Sequence, residues 1–464
     1  MSFLLKVLQP FQSALRQSVE TFIRLETSDD ETTIVAEDGS LLTYVRIDGS
    51  RTVIGDSEFK KIIEGATIKI GARFDRQGHA LQVFYVRDPG RIKNHLEALI
   101  SSSHTAARNM GLEMDDVYGE RVKHLSKFLS YEEFYFVLWT RPSALTKNEL
   151  QRVAKDNKDK KWVSAGNAQF PLAALDPLRN RHKSYVSGMM SALDELGFKG
   201  EVLEVHAALA AVRNNMFPTK AHDGWRACLP GDPIPPRAPT SAVDMSDVLW
   251  PPLRQQLAAG DARVLGKSIC RIGDLYWAGA DMTLGPMDAT PFPQLLNRLF
   301  ESSIPYRISF LIEGGGSSSV VFRTFAASLL SVTNARNKQI KFSLEALEVM
   351  SRREPVVKLR ISFATWAPAA DRDLTLIMTR LSTLVQSVES WGYCQVSEFS
   401  GDPLDCVMSS AMGIHCAGTA PAAVAPMYEV MKLLPWQRPS SPFKHGAIML
   451  RTPDGKVWPY QTGT

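Results

Sequence analysis

Leu229-Pro-Gly-Asp-Pro-Ile-Pro-Pro-Arg-Ala-Pro239 opens a stretch that runs on to Trp250-Pro-Pro252 and holds seven prolines, at 230, 233, 235, 236, 239, 251 and 252. Proline fixes φ and removes the N–H that a helix or a sheet ladder needs, so this stretch reads as a linker dividing the chain. Upstream of it, Thr32-Thr-Ile-Val-Ala36 and Leu41 to Ile47 alternate about Asp38-Gly39, which predicts a hairpin. A helix near Asp56 to Gly65, a strand from Ala80 to Arg87 and a long helical stretch from Arg91 to Leu129, broken at Gly111, come next. Glu133-Phe-Tyr-Phe-Val-Leu-Trp-Thr140 is almost continuously apolar, as a strand covered on both faces should be. Helices near Tyr185 to Leu196 and His206 to Met216 flank a short strand at Glu201 to Leu203.

Downstream of the linker the same order of elements recurs. Paired strands at Ser268 to Gly273 and Leu275 to Gly279 precede a helix at Pro291 to Ser302 and a strand at Tyr306 to Glu313. Long helices between Val320 and Met350, a strand at Val356 to Trp366, a helix from Asp371 to Trp391, a strand at Tyr393 to Val396 and a helix from Pro403 to Met412 follow. The expected fold class is therefore α+β: two units of similar element order, packed separately on either side of a Pro-rich linker, with a C-terminal β-hairpin. The boundaries are 1–26 for an N-terminal amphipathic helix, 27–228 and 253–432 for the two units, 229–252 for the linker, and 433–464 for the approach to the hairpin and the hairpin itself.

The N-terminal helix is read from Phe11, Leu15, Val19 and Phe22, which recur at helical spacing with Arg16, Glu20 and Arg24 on other faces. Such a stripe either packs on the domain behind it or serves as a docking helix. Lys155 to Lys161 reads as a solvated insertion by its charge.

Composition bounds the function. With 464 residues and 44% hydrophobic side chains the chain can fill substantial cores. A net charge of +4 with both signs interleaved lacks the concentrated basic stripe of a nucleic-acid binder, and no run approaches the roughly 18 apolar residues of a membrane span. Five scattered cysteines, at 228, 270, 394, 406 and 416, point to reduced thiols in a cytosolic compartment, and the opening residues do not form a secretory leader.

Several chemical patterns fall short. Gly266-Lys267-Ser268 resembles the end of a phosphate loop, but position 261 is aspartate where glycine is required, and Lys267 enters a β-type run instead of a helix. Gly314-Gly-Gly-Ser-Ser-Ser319 joins a strand to a helix without any lysine and reads as a turn with a serine cap. Cys406, His415 and Cys416 lack paired metal-ligand spacing, and no nucleophile elbow or grouped histidines occur. Trp139, Trp277, Trp366 and Trp391 fall at apolar spacing and read as packing.

The C-terminal stretch carries the most specific pattern. Pro435-Trp436-x-Arg438-Pro439-x-Ser441-Pro442-Phe443 leads to Gly446, and then to Leu450-Arg451-Thr452-Pro453-Asp454-Gly455-Lys456-x-Trp458-Pro459-Tyr460. Pro453-Asp454-Gly455 is turn chemistry between two runs rich in β-formers. These residues resemble the segment that precedes the nucleotide-binding domain in the IcmB/DotO/TraU family, the large hexameric ATPases of type IVB secretion and related conjugation systems. Asp223 to Asp232 and the turn at Glu37-Asp38-Gly39 share the resemblance. It implies an N-terminal docking and assembly region that ends before the ATPase domain, carries no cofactor itself, and belongs to a full-length protein that uses ATP and Mg. It further implies a place at the cytoplasmic face of the bacterial inner membrane. The implied partners are inner-membrane secretion components, a second hexameric traffic ATPase and further copies of itself, as a hexamer or a dimer-based hexamer. No specific nucleic acid is implied. Two other classes stay open at this point, a nucleic-acid-binding module of a conjugation protein and a stand-alone enzyme. The pI of about 8.7 is compatible with the first.

Overall fold

The computed structural model describes residues 18–156, 168–221, 223–233, 250–285, 290–300, 302–316, 354–369, 373–398, 401–444, 446 and 448–461. Residues 157–161 of the charged insertion and the expected helices of 320–350 lie outside them. Six strands precede the linker: β1 (Leu25–Ser28), β2 (Ile34–Ala36), β3 (Leu41–Ser50), β4 (His79–Asp88), β5 (Tyr131–Thr140) and β6 (Phe198–Val202). After it come β7 (Ala262–Val264), β8 (Ile269–Ile272), β9 (Leu275–Leu284), β10 (Tyr306–Glu313), β11 (Val356–Pro368), β12 (Gln395–Ser397) and β13 (Ala423–Pro426). All of them join one 13-stranded sheet, while β14 (Ile448–Arg451) and β15 (Val457–Tyr460) form a separate two-stranded ribbon. The class is mixed α+β, and among the described residues the elements of both halves follow the expected order, the helices expected between 320 and 350 lying outside them.

The strand order is β1-β2-β3-β5-β4-β10-β11-β9-β8-β7, with β6 beside β3, β12 beside β9 and β13 beside β11. Read from its centre this order is palindromic: β4, β5, β3, β2 and β1 on one side answer β10, β11, β9, β8 and β7 on the other. The sequence reading expects two separately packed units, and here the structure corrects it. β4 and β10 pair antiparallel along eight residues, from Arg87 with Tyr306 to Ala80 with Glu313. The reason is visible in the two strands: both are nearly uninterrupted buried runs, and a buried strand edge cannot leave its N–H and C=O groups unpaired.

Alternation along β4 explains the layers. Leu81, Val83 and Tyr85 enter one core, together with Phe59 and Ile63 of helix Asp56–Lys69, Tyr185 and Met189 of Asp176–Glu195, Phe292 and Leu295 of Phe292–Phe300, and Leu384 and Val388 of Thr375–Glu389. Ala80, Phe84 and Val86 enter the core on the other face, with Leu209 and Val212 of helix Val205–Met216 and Leu404 and Val407 of Pro403–Ser409. Each core draws on both halves, and each half contributes equivalent helices to each face.

Arg307 of β10 sits at this seam, wholly buried over the Trp277 ring at 4.5 Å. It donates to Asn215 O at 2.9 Å, Val407 O at 2.7 Å and Ser410 Oγ at 2.9 Å. Asn215 and Val407 lie in the last turns of two helices that correspond across the palindrome, where the carbonyls carry the negative end of the helix dipole. One buried cation thus caps both helices, although burial still lowers its pKa, to about 9.

The N-terminal helix expectation is corrected at its end. Val19–Phe22 is a single 3₁₀ turn capped by Ser18, and the chain is already a strand at Leu25. Val19 and Phe22 are buried in the second core, while Phe11 and Leu15 lie outside the described residues. Sequence reasoning also missed β1, β7, β13 and the short helices Leu253–Leu257 and Met427–Lys432, segments too short to show periodicity.

Candidate functional site

The family-like segment folds back onto the first half. Leu434-Pro435 brings Trp436 into the core, where its ring meets Phe136 at 5.9 Å and Phe198 at 5.1 Å, both edge-on, and its Nε1 donates to Met431 O at 2.8 Å. Pro439 then forms a parallel bridge with Ser50 at the end of β3. Ser50 N donates to Arg438 O at 2.7 Å, and Ser440 N returns a bond to Ser50 O at 2.8 Å. Gly49 has φ +129°, and a Cβ there would fall 2.3 Å from Arg438 O, so this approach needs glycine.

Beyond that crossing lies a buried ionic cluster. The Arg438 guanidinium grips Glu132 of β5 through two bonds, Nε to Oε1 at 3.1 Å and Nη2 to Oε2 at 2.5 Å, and its Nη1 bonds Asp454 in the ribbon turn. Lys456 Nζ donates to Asp48 O at 2.9 Å and Pro439 O at 2.8 Å and lies 3.3 Å from Glu132 Oε1. Tyr85 Oη donates to Glu132 Oε2 at 2.9 Å, and Arg87 Nη2 donates to Asp454 O. Burial alone would raise the Glu132 carboxyl, but Arg438 and Lys456 outweigh it and hold that carboxyl at about 2. Burial opposes the Arg438 charge too, and Glu132 overcomes it, so the guanidinium is held above its usual range. Lys456 is pushed down by burial, against the attraction of Glu132.

The turn is organised for this contact. Gly455 takes φ +84°, which the tight turn requires, and Ser130 N donates to Gly455 O at 2.9 Å. Gly446 lies against the backbone of Tyr460, where a Cβ would fall 2.5 Å from the carbonyl oxygen. Val457 and Met449 pack with Leu96, Leu99 and Val122 of the helical pair Ile92–Asn109 and Asp115–Leu125. Arg451 lies over the Phe128 ring at 5.8 Å, and Tyr460 meets Phe443 edge-on at 5.5 Å. A cleft of about 380 Å³ opens beside the cluster, with Arg46, Lys199, Lys444, His95, Tyr131 and Phe443 in its walls.

Of the residues singled out in sequence, Pro435, Trp436, Arg438, Pro439, Gly446, Arg451, Asp454, Gly455, Trp458, Pro459 and Tyr460 are thus brought together at one place, with Arg438 on Glu132 across 306 positions of sequence. Glu132, Tyr85, Arg87 and the ammonium of Lys456 were not anticipated. One signal was there: Tyr131-Glu-Glu133 puts two carboxylates at the head of an otherwise apolar strand, which calls for buried cationic partners. The Arg438 and Lys456 donors that face Glu132 are engaged by it, so the cluster ties the ribbon turn and the chain crossing at Pro439 to β5.

Elsewhere, Lys267 lies in the loop between β7 and β8. Gly314 and Gly316 are needed for close passage, since a Cβ would fall 2.3 Å from Arg76 O and 2.4 Å from Val356 O respectively. Trp139, Trp277, Trp366 and Trp391 are all buried. Among the described residues no three His, Cys, Asp or Glu side chains gather as a metal site, and no helix is long and apolar enough to cross a membrane.

The fold and this cluster define a mixed α+β protein whose C-terminal ribbon is clamped to its sheet. Compared with known proteins, the chain matches no family model and no curated sequence.

Proposed function

We propose that this chain is the docking and assembly region of a type IVB secretion or conjugation ATPase, acting at the cytoplasmic side of the inner membrane. The observation that carries the reading is the clamp. The segment that resembles the IcmB/DotO/TraU family is held by a buried ionic cluster at a fixed angle to a large rigid sheet. Rigid seating suits a part that fixes the position of a motor relative to its membrane complex, because force delivered through a loose joint would be lost in bending. In this reading ATP and Mg belong to the full-length ATPase. Secretion components of the inner membrane, a second traffic ATPase and further copies of the chain are the partners.

Cell fractionation tests this. Expressed beside the genes of the inner-membrane complex, the chain should sediment with membranes, and without them it should stay in the supernatant. An unchanged distribution in the two strains would overturn the docking role. Binding to DNA whose affinity falls steeply with salt would favour a nucleic-acid module instead.

A further inference from the structure

The C-terminal ribbon has two edges, and among the described residues only that of β15 is closed. Thr452 N donates to Lys456 O at 3.0 Å, so the pairs Leu450 with Trp458 and Ile448 with Tyr460, two and four residues on, are hydrogen-bonded pairs as well. The backbone N–H and C=O groups of Met449 and Arg451 therefore point away from β15. β14 pairs with no other strand, and those groups make no hydrogen bond among the described residues. The β15 edge is protected: Pro459 has no N–H to offer, and its carbonyl accepts from Ser441 Oγ at 2.6 Å.

The face beside the open edge is apolar. Ile448, Leu450, Trp458 and Tyr460 share one side of the ribbon, with Ile448 40%, Leu450 49% and Tyr460 41% exposed. The opposite side, with Val457 and Met449, is the one packed on the helical pair. An unpaired apolar edge invites another strand.

We propose that β14 is a dimerisation strand, pairing antiparallel with β14 of a second copy about a two-fold axis at Leu450. The register follows from the bonds available. With Met449 opposite Arg451 of the second copy, every outward group of Ile448–Arg451 is paired. A shift of two residues one way leaves only a Met449 to Met449 pair within the strand, and a shift the other way sets Arg451 against Arg451, like charges directly opposite. In the chosen register Leu450 meets Leu450 of the second copy, and the apolar faces of the two ribbons join into one face of a four-stranded sheet. The charges are spared, the edge closes on itself, and the self-complementary contact stops at two copies.

Position-specific cross-linking tests the register. Under mild oxidation Leu450→Cys should form a disulfide-linked dimer at least tenfold faster than Ile448→Cys, whose side chain falls opposite Thr452 of the second copy; the parent chain with its five cysteines is the control. Met449→Pro removes an outward N–H and leaves the β14 to β15 bonds in place. Added to Leu450→Cys, it should suppress the cross-link and abolish the concentration-dependent dimer seen by sedimentation velocity, while circular dichroism shows the chain still folded, with a thermal midpoint lowered by the lost Met449 packing. Should Met449→Pro unfold the ribbon, the comparison of the two cysteine variants still decides. Equal cross-linking of those variants, or a parent chain that stays monomeric up to high micromolar concentration, would overturn the proposal, in the latter case leaving the edge to a strand of another protein or to none.

Discussion

Arg438 and Glu132, 306 residues apart in the chain, are joined by two hydrogen bonds in the protein interior, and that pair seats the C-terminal ribbon on the sheet. Both side chains are over nine-tenths buried. Removing one partner of such a pair strands the other as an uncompensated charge, which costs about 3–5 kcal/mol. Lys456 still faces Glu132 after Arg438→Ala, and Asp454 still bonds Arg438 after Glu132→Gln, so each variant should lower the unfolding free energy in urea by up to about 3–5 kcal/mol. A loss under 1 kcal/mol in both variants would mean that Trp436 and the helical pair hold the ribbon without the clamp.

The ribbon was legible in the sequence and the clamp was not. Pro453-Asp454-Gly455 announces its turn locally, through the φ that Gly455 must adopt. That Asp454 would meet Arg438, and Arg438 would meet Glu132, depends on the long crossing past Ser50, which no local pattern encodes. The same limit explains the sheet. Element order in each half was readable from periodicity, whereas the β4 to β10 pairing is a contact across more than 200 residues, and the apolar runs of the two strands say only that each needs cover on both faces. For Phe22 the helical spacing was a correct sign of burial, attached to the wrong kind of element.

The shared sheet makes a prediction about the two halves. Because β4 pairs with the whole length of β10 and both cores are built from both sides, cutting the chain between them should not separate them. A protease site introduced between residues 234 and 249 and then cleaved should leave two fragments that co-elute at the position of the intact chain, with one calorimetric transition. Fragments that elute separately without denaturant would restore the picture of two independent units.

Stability should fall in mild acid, with a sign set by buried histidine. His182 lies between Thr43 Oγ1 and Thr140 Oγ1, each 2.9 Å from a ring nitrogen, and burial holds its pKa down at about 4, with His79 a further influence. An ordinary histidine titrates near 6.5, so below that pH the unfolded chain takes up the proton first. The contribution is full above about 6.5 and declines as pH falls to about 4, by on the order of 3 kcal/mol. Urea titrations from pH 7.5 to 4.5 should show this slope, and His182→Gln should reduce it, leaving the share of His79 and His415. A slope untouched by that substitution would assign the acid sensitivity to His79 or His415, both also held at about 4 by burial.

Nucleotide turnover needs a lysine and backbone amides around the phosphates, a hydroxyl and a carboxylate on Mg, and a positioned water. Lys267 follows Gly266 and precedes Ser268 as in part of that set, and its setting is unsuitable. It lies between two antiparallel strands, with Val264 paired to Cys270 and Ile272 paired to Leu275, so no helix N-terminus follows to present amides to an anion. The next described helix after it is Phe292–Phe300, beyond the whole of β9. The 464-residue chain should therefore show no heat of binding with Mg-ATP at micromolar concentrations and no phosphate release. Binding that disappears in Lys267→Ala would place a nucleotide in the β7 to β8 loop and make the chain an enzyme in its own right. Binding that survives Lys267→Ala but is lost in Lys444→Ala would move it to the cleft beside the clamp.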